Sequence, residues 1–245
     1  MPTRSSSPVR LFLPLRARSC VGGVAMRLRA GAMASLLLAS LLAFAPGLFA
    51  DDAERMRVAA RQLGPQAVAG LRALEALVES ASASDDEDKL VAVNDFFNRR
   101  IRFRDDIEVW GVEDYWASPL ELLQKGEGDC EDYAIAKYFS LLVMGMPSSR
   151  LRIVYVRARV PGPPEKVQAH MVLAYYATAG AEPEILDNLV PRVLPASERS
   201  DLTPVFSFNS EGLWQGLGAK SSGDPAARLS PWRGVLAKAR AEGFL

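Results

Sequence analysis

The spacing of apolar residues along the chain changes period near its middle. From Asp51 to about Ser80, Met56, Val58, Leu63, Val68, Leu71, Leu74 and Leu77 recur at roughly three-to-four spacing, which predicts helix. A polar, acidic break from Ser82 to Asp88 precedes a second predicted helix, Asp88 to Arg100, with Leu90, Val93, Phe96 and Phe97 among its apolar positions. Ile101 to Trp116 reads as irregular, with one short strand. Ser118-Pro119-Leu120-Glu121 has the form of a helix start: a serine cap, proline in the first turn and glutamate three residues on. That short helix ends near Lys125, where Gly126 and Gly128 interrupt it. A long helix is predicted from Asp129 and Cys130, with Ala134, Ile135, Tyr138, Phe139, Leu142 and Val143 on one face, stopped by Gly145 and Pro147.

Past Pro147 the pattern becomes that of strands. Arg152 to Val160 alternates charge with hydrophobe, Pro161-Gly162-Pro163-Pro164 makes a turn, and Ala169 to Thr178 and Glu184 to Leu189 supply two further strands. Helices followed by an antiparallel sheet predict an α+β domain. After about Phe208 the chain is rich in glycine and serine and reads as a loose tail ending in a short amphipathic helix, Trp232 to Leu245. The predicted organisation is therefore a leader over 1–50, a domain over 51–210 and a tail over 211–245.

The leader reading rests on residues 26–50. Arg27 and Arg29 form a basic start, Ser35 to Phe44 an apolar run, and Pro46 and Gly47 a break before Ala50, the expected last residue before cleavage. The run is short for a membrane span of roughly 20 residues. Export by a cleavable signal peptide is the expectation, with Met26 or Met33 as alternative starts. Residues 1–50 hold six arginines and no acid, so residues 51–245 carry an acidic excess of six although the whole chain is neutral. An acidic body argues against a nucleic-acid partner.

Removal of the leader takes away Cys20 and leaves Cys130 alone, beside the only histidine of the chain, His170. Cys130 follows a glycine turn and opens the long predicted helix. The positive end of the helix dipole and its free N–H groups favour thiolate and suit an oxyanion. His170 begins a strand, and Asp187 sits in the apolar stretch Ile185-Leu186-Asp187-Asn188-Leu189, where a buried carboxylate needs a partner. A lone cysteine is also a common small buried hydrophobe, and Asp187 also fits a turn. If the three meet, Cys130 attacks a carbonyl, His170 moves the proton and Asp187 fixes the imidazole tautomer.

Trp110-Gly111-Val112-Glu113-Asp114-Tyr115-Trp116-Ala117-Ser118-Pro119-Leu120-Glu121, Gly128-Asp129-Cys130-Glu131-Asp132-Tyr133-Ala134, Ala169-His170-Met171-Val172-Leu173 and Leu186-Asp187-Asn188 together resemble the bacterial transglutaminase-like cysteine peptidases, of the periplasmic LapG type. The resemblance covers about residues 85–210. It implies a papain-like, transglutaminase-type core with the cysteine-bearing helix packed on an antiparallel sheet, and Cys130, His170 and Asp187 as the catalytic residues. It also implies cleavage near the N-terminus of a large surface adhesin, which releases the cell from a biofilm, and retention by an inner-membrane receptor responsive to cyclic-di-GMP.

Asp129, Glu131 and Asp132 surround Cys130. As caps and first-turn acids they complement the helix dipole, yet their field opposes thiolate. A bound cation would cancel it, and all-oxygen ligands point to Ca²⁺. The resemblance implies calcium at Asp129, Glu131 and Asp132, with further ligands needed. One histidine and one mature cysteine are too few for the usual ligand set of zinc. The same three groups also serve transglutaminase or amidase acyl transfer, and a non-catalytic binding module of this fold is the remaining alternative.

Overall fold

Gly64, at a φ of 114°, and Pro65 divide the first predicted helix into α1 (Ala45–Leu63) and α2 (Pro65–Ala81). The computed structural model describes residues 45–164 and 166–245, so the predicted leader lies outside the described residues as far as residue 44. Helix α3 (Asp86–Arg100) starts two residues before the predicted position, because Asp85 caps it by accepting the Asp88 N–H at 2.9 Å. The irregular stretch contains β1 (Arg102–Phe103) and a single turn, α4 (Asp106–Val109). The predicted capping box is present: Ser118 and Glu121 satisfy each other's backbone N–H groups at the start of α5 (Pro119–Lys125), and Gly126 closes the helix in the left-handed region. Strand β2 (Glu127–Gly128) follows and leads directly into α6 (Cys130–Val143).

Strands β1 and β2 run parallel, Phe103 opposite Gly128, and are joined by Arg102 N–H to Gly126 O and Arg104 N–H to Gly128 O, both 3.0 Å. The main sheet comprises β3 (Leu151–Val160), β4 (Lys166–Tyr175), β5 (Glu184–Leu186), β6 (Leu194–Pro195), β7 (Leu202–Phe208) and β8 (Leu213–Gln215). Its order is β6-β5-β4-β3-β7-β8, every pair antiparallel. Two short helices end the chain, α7 (Pro225–Arg228) and α8 (Ser230–Glu242). The α+β expectation holds.

The alternation of strand side chains explains two apolar layers. Ile153, Met171, Leu173, Tyr175 and Phe208 join the helical core of Leu74, Leu90, Phe97, Ile135 and Phe139. Val154, Val156, Val172 and Ile185 form a smaller layer on the other face. The short terminal helix expected at the end of the chain is present as α8, but the looseness expected over 211–245 is corrected. Residues Pro46–Leu245 form one compact unit, and Trp232 of α8 is completely buried against Phe139 and Phe208, ring centroids 5.8 and 5.1 Å away. Its indole N–H donates to Asn209 O at 3.1 Å. Glycine and serine there serve the turns around β8, and the apolar face of α8 fills the core. Among the described residues no helix is long and apolar enough to cross a membrane.

Candidate active site

Strand β2 aims the chain at the start of α6 through a tight passage. A Cβ on Gly128 would lie 2.5 Å from Asp132 Oδ2 and 2.6 Å from Leu122 Cδ1, so only glycine fits. Asp129 takes the N-cap position with extended backbone, but its carboxylate makes no capping hydrogen bond, contrary to a reading of this acid as a simple cap. Cys130 is the first residue of α6 and half-buried. First-turn N–H groups have no partner within a helix and are free for an oxyanion. The thiol donates to Glu131 Oε2 across 3.1 Å. Burial, then the charge and hydrogen bond of Glu131 and the charge of Asp129, push the thiol far above its ordinary range. Cys130 opens onto a cavity of about 560 Å³ also lined by Trp116, Tyr155, Gln168, His170 and Leu189. Trp110 is not in this cleft; it stacks on Tyr115 at 4.2 Å.

His170 is 2% exposed, and its Nε2 lies 2.7 Å from Asp187 Oδ1. Asp187 stands immediately after β5 rather than inside a strand running to Leu189, because its side chain is turned to hydrogen bonds that end the ladder. Oδ1 also accepts the Leu189 N–H at 3.0 Å, and Oδ2 accepts Arg199 Nη2 at 2.7 Å. Burial opposes the charge of Asp187, yet His170, the Leu189 N–H and Arg199 outweigh it and hold the carboxyl at about 2. An ionised Asp187 fixes the proton on Nε2, which leaves Nδ1 as the basic nitrogen.

A second group of carboxylates adjoins the cleft. Asp106, Asp129 and Asp132 each bring an oxygen within 4.8 Å of the others. Asp106 Oδ1, Asp129 Oδ1 and Asp132 Oδ2 are buried without a hydrogen-bond partner. Their remaining oxygens are anchored where the backbone allows: Asp132 Oδ1 accepts the Ala117 N–H at 2.8 Å, and Asp106 Oδ2 accepts the Tyr115 N–H. Burial first, and neighbouring negative charge second, push Asp129 up to about 10 and Asp132 well above the carboxylate range. For Asp106, burial dominates and raises it to about 6. Orphaned, converging oxygens of this kind suit a hard cation, and the all-oxygen donor set fits Ca²⁺. The expected trio of Asp129, Glu131 and Asp132 falls into two groups that share Asp129. Glu131 groups with Asp129 and the thiol of Cys130, and Asp106 takes the third place beside Asp129 and Asp132.

A family model described as bacterial transglutaminase-like cysteine proteinase matches residues 72–217. The chain belongs to this family. LapG of Legionella pneumophila in an EGTA-treated structure is 38% identical, with a TM-score of 0.66 over 76% of this chain and 96% of that one. Its calcium-bound structure is 37% identical, with a TM-score of 0.65 over 76% and 98% of the two chains. No curated protein sequence matches the chain.

The site of this cysteine peptidase also draws in residues with little local signal in the sequence. Asp106 enters the carboxylate group because β1 pairs with β2, which sets the residues following each strand side by side. Its only sequence signal was an Asp105-Asp106 pair after a short candidate strand. Arg199 is 3% exposed and clamps Asp187 and Asp201 together, and nothing local marks it. Behind Asp187, Asn98 donates to its backbone oxygen at 2.7 Å. Lys137 of α6, completely buried, donates to Asn94 Oδ1 at 2.8 Å, and Asn94 in turn donates to Pro191 O at 2.7 Å. Helices α3 and α6 thereby hold the loop that carries the aspartate.

Proposed function

We propose that this peptidase is a calcium-dependent cysteine endopeptidase, exported to the periplasm, that cleaves the N-terminal region of a large surface adhesin and so controls release from a biofilm. The observation that carries the reading is that Cys130 and His170 line one cavity while Asp187 occupies the far nitrogen of the imidazole. Export rests on the signal-like segment 26–50. The adhesin substrate, and a cyclic-di-GMP-responsive receptor in the inner membrane as partner, rest on the family resemblance.

In this reading His170 Nδ1 takes the thiol proton and Cys130 Sγ attacks the carbonyl carbon of the scissile peptide. The first-turn N–H groups of α6 receive the developing oxyanion. His170 then returns the proton to the leaving amine, and water hydrolyses the thioester with His170 again as base. Asp187, held in place by Arg199 and Asn98, keeps the imidazole in the required tautomer throughout. Asp106, Asp129 and Asp132 are the residues that would hold calcium, and their orphaned oxygens support this, as does the calcium-bound state of the Legionella relative. A cation there supplies positive charge that offsets the carboxylate field raising the thiol. The test incubates the protein and its Cys130→Ala variant with the N-terminal region of the adhesin, with and without chelator. Defined fragments from the calcium-loaded wild type alone are expected. Incorporation of an added amine without fragments would instead establish acyl transfer.

A further inference from the structure

Helix α8 lies beyond residues 72–217, the stretch matched by the family, yet it touches the segment that shapes both the cleft and the carboxylate group. That segment is Asp114 to Ser118. Its Tyr115 and Ala117 N–H groups hold Asp106 and Asp132, and its Trp116 lines the cleft with the indole N–H donated to Asp114 Oδ1 at 2.8 Å. Asp114 itself sits at a φ of 56°, in the left-handed region that aspartate adopts more readily than most residues. Helix α8 reaches the segment through Lys238 and Glu242. Lys238 Nζ donates to Trp116 O at 2.8 Å and to Glu121 Oε2 at 2.6 Å, and lies 4.4 Å from the Tyr115 ring centre. One turn on, Glu242 accepts a hydrogen bond from the Ser118 hydroxyl. Lys238 and Glu242 are four residues apart and so share a helix face, and Trp232 fixes the other end of the helix in the core.

We infer that Lys238 is a positioning residue for the calcium site, acting through the Trp116 carbonyl and Glu121 to hold the Tyr115 and Ala117 N–H groups against Asp106 and Asp132. The inference rests on the calcium reading of the proposed function. Without the ammonium, the Trp116 carbonyl and Glu121 lose their shared donor, and the two carboxylates lose the backbone frame that aims their free oxygens at one another. The Tyr115 and Ala117 N–H groups are the partners bonded to the ligands, the tier that tunes a metal's affinity, and Lys238 acts through them.

Calorimetric titration of calcium into the chelator-stripped full chain tests it, using wild type, Lys238→Met, Lys238→Arg and Glu121→Gln. Lys238→Met is expected to weaken calcium binding by up to about 10-fold, the lower edge of the effect of a group bonded directly to a ligand, with a calcium-free melting midpoint close to wild type. Lys238→Arg, which keeps the charge and donors, recovers most of the affinity, and Glu121→Gln shows a smaller loss in the same direction. Binding by Lys238→Met as tight as wild type overturns the inference. So does a fall in calcium-free stability that Lys238→Arg repairs without restoring calcium affinity, since that marks packing alone. If Lys238→Met does not fold, Glu121→Gln decides, and unchanged affinity there overturns the inference. A wild type that binds no calcium fails at the calcium reading itself, an outcome distinct from a variant that binds normally.

Discussion

Two carboxylates of this site are buried to the same depth and behave in opposite ways. Asp187 is 1% exposed and Asp132 is fully buried. Asp187 faces an imidazole, a guanidinium and a backbone N–H, and is held ionised at about 2. Asp132 faces Asp106 and Asp129, keeps one oxygen without a partner, and is driven toward its neutral form. Depth of burial therefore does not decide whether a carboxylate is comfortable in the interior; the sign of its neighbours does. The first arm is complete with the chain's own residues. The second leaves three oxygens without a partner, the feature on which the calcium reading rests.

Removing the nucleophile should give the largest effect and leave both arms standing. Cys130→Ala is expected to lower turnover by about 10⁵-fold or more, while calorimetry shows calcium still binding; loss of both together would make Cys130 a packing residue. Breaking the self-sufficient arm comes next. Asp187→Asn keeps the shape but frees the imidazole tautomer, for an expected loss in kcat of about 10³- to 10⁴-fold, with undiminished thermal stabilisation by calcium. Breaking the dependent arm should do the reverse. At a calcium concentration near 100 times the dissociation constant, wild type should gain about 2.7 kcal/mol of stability by mass action. Asp106→Asn should forfeit most of that gain, and a melting curve that still shifts fully with calcium would remove Asp106 from the site.

The smallest expected effect concerns Lys137, the buried cation behind the Asp187 loop. Burial lowers it to about 7, the Asp187 charge only partly opposing, whereas a lysine in the unfolded chain titrates near 10.4. Below about 7 both states are charged and the burial penalty is present in full. Between about 7 and 10 the unfolded chain holds a proton that the folded one has released, so stability rises with pH. Denaturation of wild type and Lys137→Met at pH 7 and 9 should show wild type gaining on the variant by at most about 1.4 kcal/mol per pH unit. A constant difference would place the ammonium in contact with water.

The same contrast separates what was legible in the sequence from what was not. The capping box at Ser118–Glu121, the helix opening at Cys130 and the strand of His170 are local features, set by residues within a few positions of one another, and their patterns are readable. Asp106 and Arg199 acquire their roles through pairings across the fold: Asp106 through the β1–β2 register, and Arg199 from a turn twelve residues after Asp187. The tail was misread for a related reason. Glycine and serine report the needs of turns, whereas the burial of Trp232 depends on a pocket built from Phe139 and Phe208, far away in sequence. Glu131 shows the limit of proximity in sequence, since adjacent helix positions point apart and its carboxylate turns to the sulfur while that of Asp132 turns inward.

The parallel pairing of β1 with β2 bears on what the enzyme can accept. Phe103, 52% exposed on one bank of the cleft, belongs to a strand bonded through its main chain to the strand that delivers Cys130. The backbone of that wall and the strand that delivers the sulfur are thus tied together by main-chain bonds. Selectivity would then fall on the visitor: a slack, slender stretch of polypeptide suits a cleft whose lining includes Phe103 and Leu189. Tightly folded modules of a long protein would pass untouched, and the tethers joining them would be where it is severed.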